Sequence, residues 1–151
     1  MNMNSNTNQT TAPTGYGYYQ KAATAAAANT ANVNAPSSPY KVIDIGTQFC
    51  KQYYRMLSVE PEAGYKFYSK MSHLTHGVEG NLEVPMCFGL EEIQQRILAM
   101  GFSGCRVFIS TIDCQASLQG GVVVVVIGKM QMTGGVLRKF VQSIFLAEQP
   151  T

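Results

Sequence analysis

CRVFISTIDCQASLQGGVVVVVIGKMQMTGGVLRKFVQSIFL, residues 105–146, decides the fold. Cys105–Ala116 alternates along the chain, Gln119-Gly120-Gly121 supplies a turn, and Val122–Met132 is rich in β-branched residues. Thr133-Gly134-Gly135 then turns the chain into Val136–Leu146. Two diglycine turns between β-rich runs of about ten residues predict a long, bent antiparallel meander.

Upstream of it the period changes. Val42, Ile45, Phe49, Tyr53 and Met56 recur at three- and four-residue steps, with Ile43, Cys50, Tyr54 and Leu57 as a second set. This predicts a first helix with a wide buried face. Pro61 suits the first turn of a second, short helix, where its missing N–H would have no partner anyway; Tyr65, Phe67 and Tyr68 load that helix with aromatics to about Ser69. Ser72–His76 and Asn81–Val84 alternate on either side of Gly77 and Gly80, which predicts a small hairpin. Leu90, Ile93, Ile97 and Met100 predict a third helix over Gly89–Met100, closed by Gly101 at a left-handed cap. Helices first and strands last, without βαβ alternation, give an α+β fold with helices on one face of a curved sheet.

Residues 1–39 have another character. Lys21 is their only charge, amid Asn, Thr, Ala, Gln and Ser with Pro13, Pro36 and Pro39. Such a stretch buries too little apolar surface to offset the entropy of ordering it, so a disordered tail is expected before a domain at 40–151. Ala22–Ala28 is too short and too uniform for more than a transient helical turn or two. The Tyr16-Gly17-Tyr18-Tyr19 cluster fits a condensate-prone segment and a plain solubilising linker equally well.

With 151 residues the chain can hold one core, and a net charge of +2 with 13% charged residues gives no field strong enough for specific duplex binding. Cys50, Cys87, Cys105 and Cys114 form no Cys-x-x-Cys pair, and the first residues are not basic then apolar, so free thiols in a reducing compartment are expected. The longest apolar run, Val122–Ile127, is far short of the ~20 residues of a membrane span. A soluble, cytoplasmic protein is the expectation.

Catalytic candidates are sparse. His73 and His76 stand three apart on a strand and so point to opposite faces, and Asp113 and Cys114, being adjacent, diverge as well. Neither Cys105 nor Cys114 is tied by the sequence to a histidine, metal-ligand spacing is missing, and both diglycines precede strands rather than the helix of a phosphate cradle. No enzyme, cofactor or metal is expected.

Several motifs add a resemblance that periodicity does not supply. GTQFCKQYY (46–54), YKFY (65–68), LTHG (74–77), FGLEEI (88–93), FSGC (102–105), GGVVV (120–124) and RKFVQSIFLA (138–147) occur in the order and spacing of the Ras-GAP SH3-domain-binding, or Rasputin-like, proteins. The resemblance covers about Ile43 to Thr151, within the family's nuclear-transport-factor-2-like domain. The closing Phe145–Pro150 phrase is similar to fungal members that serve as cofactors of a ubiquitin-specific protease.

What this implies is a cone-shaped α+β domain that homodimerises through its sheet and docks short Phe-Gly or Phe-Gly-Asp-Phe peptides beside the first two helices. Carried over by position, Ile45, Phe49, Phe67 and Phe140 would line the groove, with Gln52 and Lys66 at its edge. Ile45, Phe49 and Gln52 do share a helix face, and burying a partner's phenylalanine is worth roughly 1.5–3 kcal/mol, enough for a weak, exchangeable peptide. By residue pattern alone, Phe49 and Phe67 would read as core residues of two packed helices; the resemblance reverses that. The family's domain continues into a final strand, and its full-length members add an RNA-recognition motif and Arg/Gly-rich tails. A chain ending at Thr151 is therefore read either as a fragment or as the product of a truncated gene; if the missing strand normally pairs inside the sheet, an open edge would remain near Val122–Ile127, and the loop from Val78 to Met86 is short.

The function so implied is a non-catalytic adaptor in ribonucleoprotein or stress granules, or the cofactor of a deubiquitinase. Its partners would be Phe-motif segments of a ubiquitin-specific protease, nucleoporin-like or granule proteins, with RNA bound only by segments outside this chain. The alternatives are a nucleocytoplasmic transport factor and a small-molecule enzyme of the same fold.

Overall fold

The computed structural model describes residues 18–24 and 39–149. Its order is β1 (Tyr18–Thr24), α1 (Pro39–Val59), a 3-10 helix (Pro61–Phe67), β2 (Ser72–Val78), β3 (Cys87–Phe88), α2 (Gly89–Ala99), β4 (Arg106–Ala116), a 3-10 turn (Leu118–Gly120), β5 (Val122–Gln131) and β6 (Leu137–Leu146). The strands form one sheet in the order β3-β2-β1-β6-β5-β4. The α+β reading stands, with three helices in the first two thirds of the chain and an antiparallel meander at its end.

In α1 the buried side chains are Val42, Cys50, Tyr53, Tyr54, Met56 and Leu57, with Gly46 buried among them, while Ile43 and Ile45 are 51% and 40% exposed. That face lies on β4 and β5. Close approach is possible because Gly46 has no side chain: a Cβ there would overlap the Cys114 Sγ and press on Val124. Alternation in β5 sends Val122, Val124, Val126 and Met130 inward, and the facing positions of β6 send Phe140, Gln142 and Ile144 to the same core. α2 closes the other flank with Ile93 and Ile97, packed on the 3-10 helix and β2. Gly101, at φ 66, continues the chain out of α2 as its sequence position predicts.

Three details differ from expectation. The first is the small hairpin: β2 pairs with Cys87–Phe88, through His73↔Phe88 and Leu74↔Cys87, and not with Asn81–Val84. Gly80 turns at φ 85, the Asn81 N–H goes to the Val78 carbonyl, and the Asn81 side chain accepts from the Glu83 N–H. Local bonds of this kind compete with a ladder, and Pro85 has no N–H to offer one. The second lies in the expected tail, where Tyr18–Thr24 forms β1, antiparallel to β2 and parallel to β6. Backbone pairing on both sides asks only for main-chain donors and acceptors, which a low-complexity segment possesses like any other. The remaining tail residues, including Ala25–Ala28, lie outside the described ones. Thirdly, β6 is flanked by β1 and β5, so the open edge expected there is filled. Val122–Ile127 lies in β5 and is paired on both sides.

Candidate functional site

The aromatic side chains of α1 and the 3-10 helix form one connected cluster. Phe49 stacks on Tyr53, with centroids 5.4 Å apart, and meets Phe67 edge-to-face at 5.8 Å. Tyr53 also meets Phe67, at 5.5 Å, and its hydroxyl lies 2.6 Å from that of Tyr68. Tyr53 is buried whereas Phe49 and Phe67 are half-buried, so the cluster has a closed floor and a partly uncovered ledge. Ile45, one turn before Phe49, extends the ledge, and the exposed Gln52 and Lys66 stand at its rim. Lys66 Nζ lies 6.0 Å from the Tyr65 ring centroid, a cation held beside an exposed aromatic.

Phe140 takes a different place. It is 4% exposed and packs against Tyr54 at 5.7 Å, on the core side of α1. Tyr54 donates its hydroxyl to the buried Gln142 Oε1, so Phe140 and Gln142 together hold the floor from below. Burial pushes the Tyr54 phenol well up, and the nearby Tyr53 and Cys50 add to it, so Tyr54 stays a neutral donor.

The catalytic candidates do not gather. His73 lies against Phe88 at 4.9 Å, whereas His76 meets Phe102 edge-to-face at 5.8 Å. Asp113 is exposed and accepts from Gln115 Nε2 at 3.0 Å. Burial pushes the Cys50 thiol up to about 11, with Cys114 adding to it, and raises the Cys105 and Cys114 thiols too. Raised thiols are poor nucleophiles at neutral pH. Among the described residues, no group of three His, Cys, Asp or Glu is placed to hold a metal ion.

A second feature was not legible as a site. A cleft of about 400 Å³ opens between the loop after β2, the end of α2 and the β5–β6 hairpin; it shares no lining residue with the aromatic ledge. His76, Arg96 and Arg138 line it beside Met100, Phe102 and Met130. Alternation carried a signal for one of these, since Arg138 stands on the same face of β6 as Phe140, Gln142 and Ile144. Burial and then the Arg96 charge hold His76 down to about 4, so its ring is neutral at physiological pH.

Helices layered on a bent, mostly antiparallel sheet, with a partly uncovered aromatic ledge and a separate cleft, define a small α+β binding domain of the nuclear-transport-factor-2 type. The chain belongs to the nuclear transport factor 2 (NTF2) domain family, whose model matches residues 45–151. It is 45% identical over 107 residues to a putative G3BP-like protein of Schizosaccharomyces pombe, covering 71% of this chain and 24% of that protein. To nuclear transport factor 2 of Arabidopsis thaliana it is 35% identical over 106 residues, 70% of this chain and 23% of the relative. The chain thus spans about a quarter of the length of these curated relatives.

Among solved structures it resembles a chain of the yeast deubiquitinase Ubp3 and Bre5 cofactor complex, with TM-score 0.58 and 20% identity over 72% of this chain and 98% of the other. It also resembles nuclear transport factor 2 from Cryptosporidium parvum, with TM-score 0.54 and 18% identity over 72% and 95%. At those identities the two structures speak to the fold.

Proposed function

We propose that this domain is a non-catalytic docking module that seats a phenylalanine of a partner's short Phe-Gly or Phe-Gly-Asp-Phe segment on the ledge of Ile45, Phe49 and Phe67. The observation that carries the reading is the edge-to-face pair Phe49–Phe67, half-buried over a closed floor, beside the 40%-exposed Ile45. A third ring can complete that arrangement, and edge-to-face contacts add about 0.5–1.5 kcal/mol to the area it buries. Gln52 and Lys66 sit where a peptide main chain and an acidic residue would pass. Phe140 supports the floor through Tyr54 and does not touch the peptide.

In titrations with a Phe-Gly-Asp-Phe peptide, Phe67→Ala should weaken binding severalfold, corresponding to at least about 1 kcal/mol. Equal affinity of both proteins would remove the basis for the ledge as a docking site.

The proposal includes a homodimer through the outer face of the sheet. Val123, Val125 and Ile127 on β5, Val141 and Phe145 on β6 and the 53%-exposed Phe108 on β4 give that face an apolar character unusual for a solvated surface. Val125 is paired with Asp113, so Val125→Asp sets two like charges side by side in the middle of this face. Sedimentation should find wild type as dimer and the variant as monomer; a dimeric variant, or a monomeric wild type, refutes this face as the interface.

The 45% likeness to a G3BP-like protein supports an adaptor in cytoplasmic ribonucleoprotein granules, and the fold shared with a deubiquitinase cofactor complex supports a ubiquitin protease as one partner. A transport role is the second reading, supported by the 35% likeness to a nuclear transport factor. Localisation of the tagged protein under stress separates them: capture in granules favours the adaptor, and accumulation at the nuclear envelope the transport factor.

A further inference from the structure

Among the described residues β4 ends the sheet, paired with β5 and with no strand beyond it. Its outer edge therefore presents a row of backbone N–H and C=O groups that no ladder takes up. The strand is 11 residues long, neither proline nor lysine interrupts it, and Phe108 and Ile109 are 53% and 38% exposed. An edge of this kind is a template for a further strand.

A break in register decides which strand fits. Before the shift between Ile109 and Thr111, Val107 packs against the core while Arg106 and Phe108 are exposed on the outward face; after it, Ile112 and Cys114 pack against the core while Thr111 and Asp113 are exposed. The extra residue, Ser110, has exchanged the odd and even positions.

That exchange makes β4 complementary to itself. In one antiparallel, two-fold register, Arg106 stands opposite Asp113 of a second copy, Val107 opposite Ile112 and Phe108 opposite Thr111, and each pair shares a face. Without the extra residue the same register would set core-facing positions against outward ones. Charge selects it: Arg106 and Asp113 are the only Arg, Lys, Asp or Glu in the strand, and opposite charges directly across a ladder favour pairing. A slip of two residues places Arg106 against Thr111 or Gln115 and loses both ion pairs.

We infer that the free edge of β4 pairs with the same edge of a second copy of this chain, continuing the sheet across a two-fold axis between Ile109 and Ser110. This edge is separate from the outer face of the sheet. Two short strands bury little, so the contact is weak and forms at on the order of 0.1–1 mM protein. Where the outer-face dimer also exists, the edge contact joins dimers into larger assemblies.

Sedimentation equilibrium of the full chain at about 10 μM and about 1 mM tests it. Whatever mass the lower concentration gives, the wild type should gain about 1.5-fold or more at the higher. Arg106→Asp sets like charges opposite each other twice across the axis and should abolish the gain, as should Asp113→Arg. The variant carrying both reversals regains opposite charges and should recover it. Should a reversed charge prevent folding, Arg106→Gln must still reduce the gain. No gain in the wild type leaves the edge to a strand of another protein and overturns the inference; so does a gain in either single reversal, or none in the double one. Each reading is a change between two concentrations, so it is independent of whether Val125→Asp breaks the outer-face dimer.

Discussion

Gly128→Val is expected to lower the unfolding free energy by about 3 kcal/mol, near the upper end of what overpacking does at a single site. Gly128 lies in β5, opposite Ile109 on β4 and Phe140 on β6. There β4 changes register between Ile109 and Thr111, leaving Ser110 as an extra residue whose hydroxyl donates to the Ile127 carbonyl at 2.9 Å. A bulge bends its strand, and this bend lets the meander curve over the helices. A Cβ at 128 would overlap the Phe108 carbonyl oxygen and sit 3.1 Å from the Phe140 ring. Since the obstacle on one side is backbone, it cannot swing away. Urea unfolding, with a slope of about 2 kcal/mol per molar for a domain this size, should show the midpoint falling by about 1.5 M. An unchanged midpoint would mean that the bend does not depend on the bare backbone at this position.

The other large effect is a loss of stability in acid set by His76. Its folded value is held down to about 4 by burial and by the Arg96 charge, against about 6.5 for an unfolded histidine. For a base depressed by folding, the unfolded chain takes up the proton first. Stability is therefore full above about pH 6.5 and falls as pH drops toward 4, below which this group removes no more. The interval, about 2.5 pH units, is worth roughly 3 kcal/mol, a large share of a small domain's stability. Denaturation at pH 7, 5.5 and 4 should show that slope in wild type and in His73→Gln, and its disappearance in His76→Gln. A slope that persists in His76→Gln would assign it to other groups.

Legibility divides along the same line as these two effects. The helix over residues 40–59, the helix ending at Gly101 and the three strands of the meander follow from short-range periods that a chain displays whatever surrounds it. The diglycine turns marked their joints. The hairpin after the second helix was misplaced because alternation in Asn81–Val84 arises from an Asn turn and from Val84 packing on the bare Gly77, neither of which is a ladder. β1 carried no signal, since its place rests on backbone pairing to two strands that come 48 and 113 residues or more later in the chain.

At the ledge, spacing put Ile45, Phe49 and Gln52 on one helix face, and the motifs pointed to Phe67. That Tyr53 would be the closed floor, with Phe140 buried beneath α1 against Tyr54 rather than on the ledge, depended on how α1 packs across the sheet. By itself, then, the sequence determined the α+β class, the helical and strand periods and the residues offered for docking, because these depend on neighbours within a few positions. The tertiary structure alone decided which aromatics remain partly uncovered, and that His76, Arg96 and Arg138 share one cleft. Burial and electrostatic potential are sums over atoms brought together from distant parts of the chain, and no local pattern encodes such a sum.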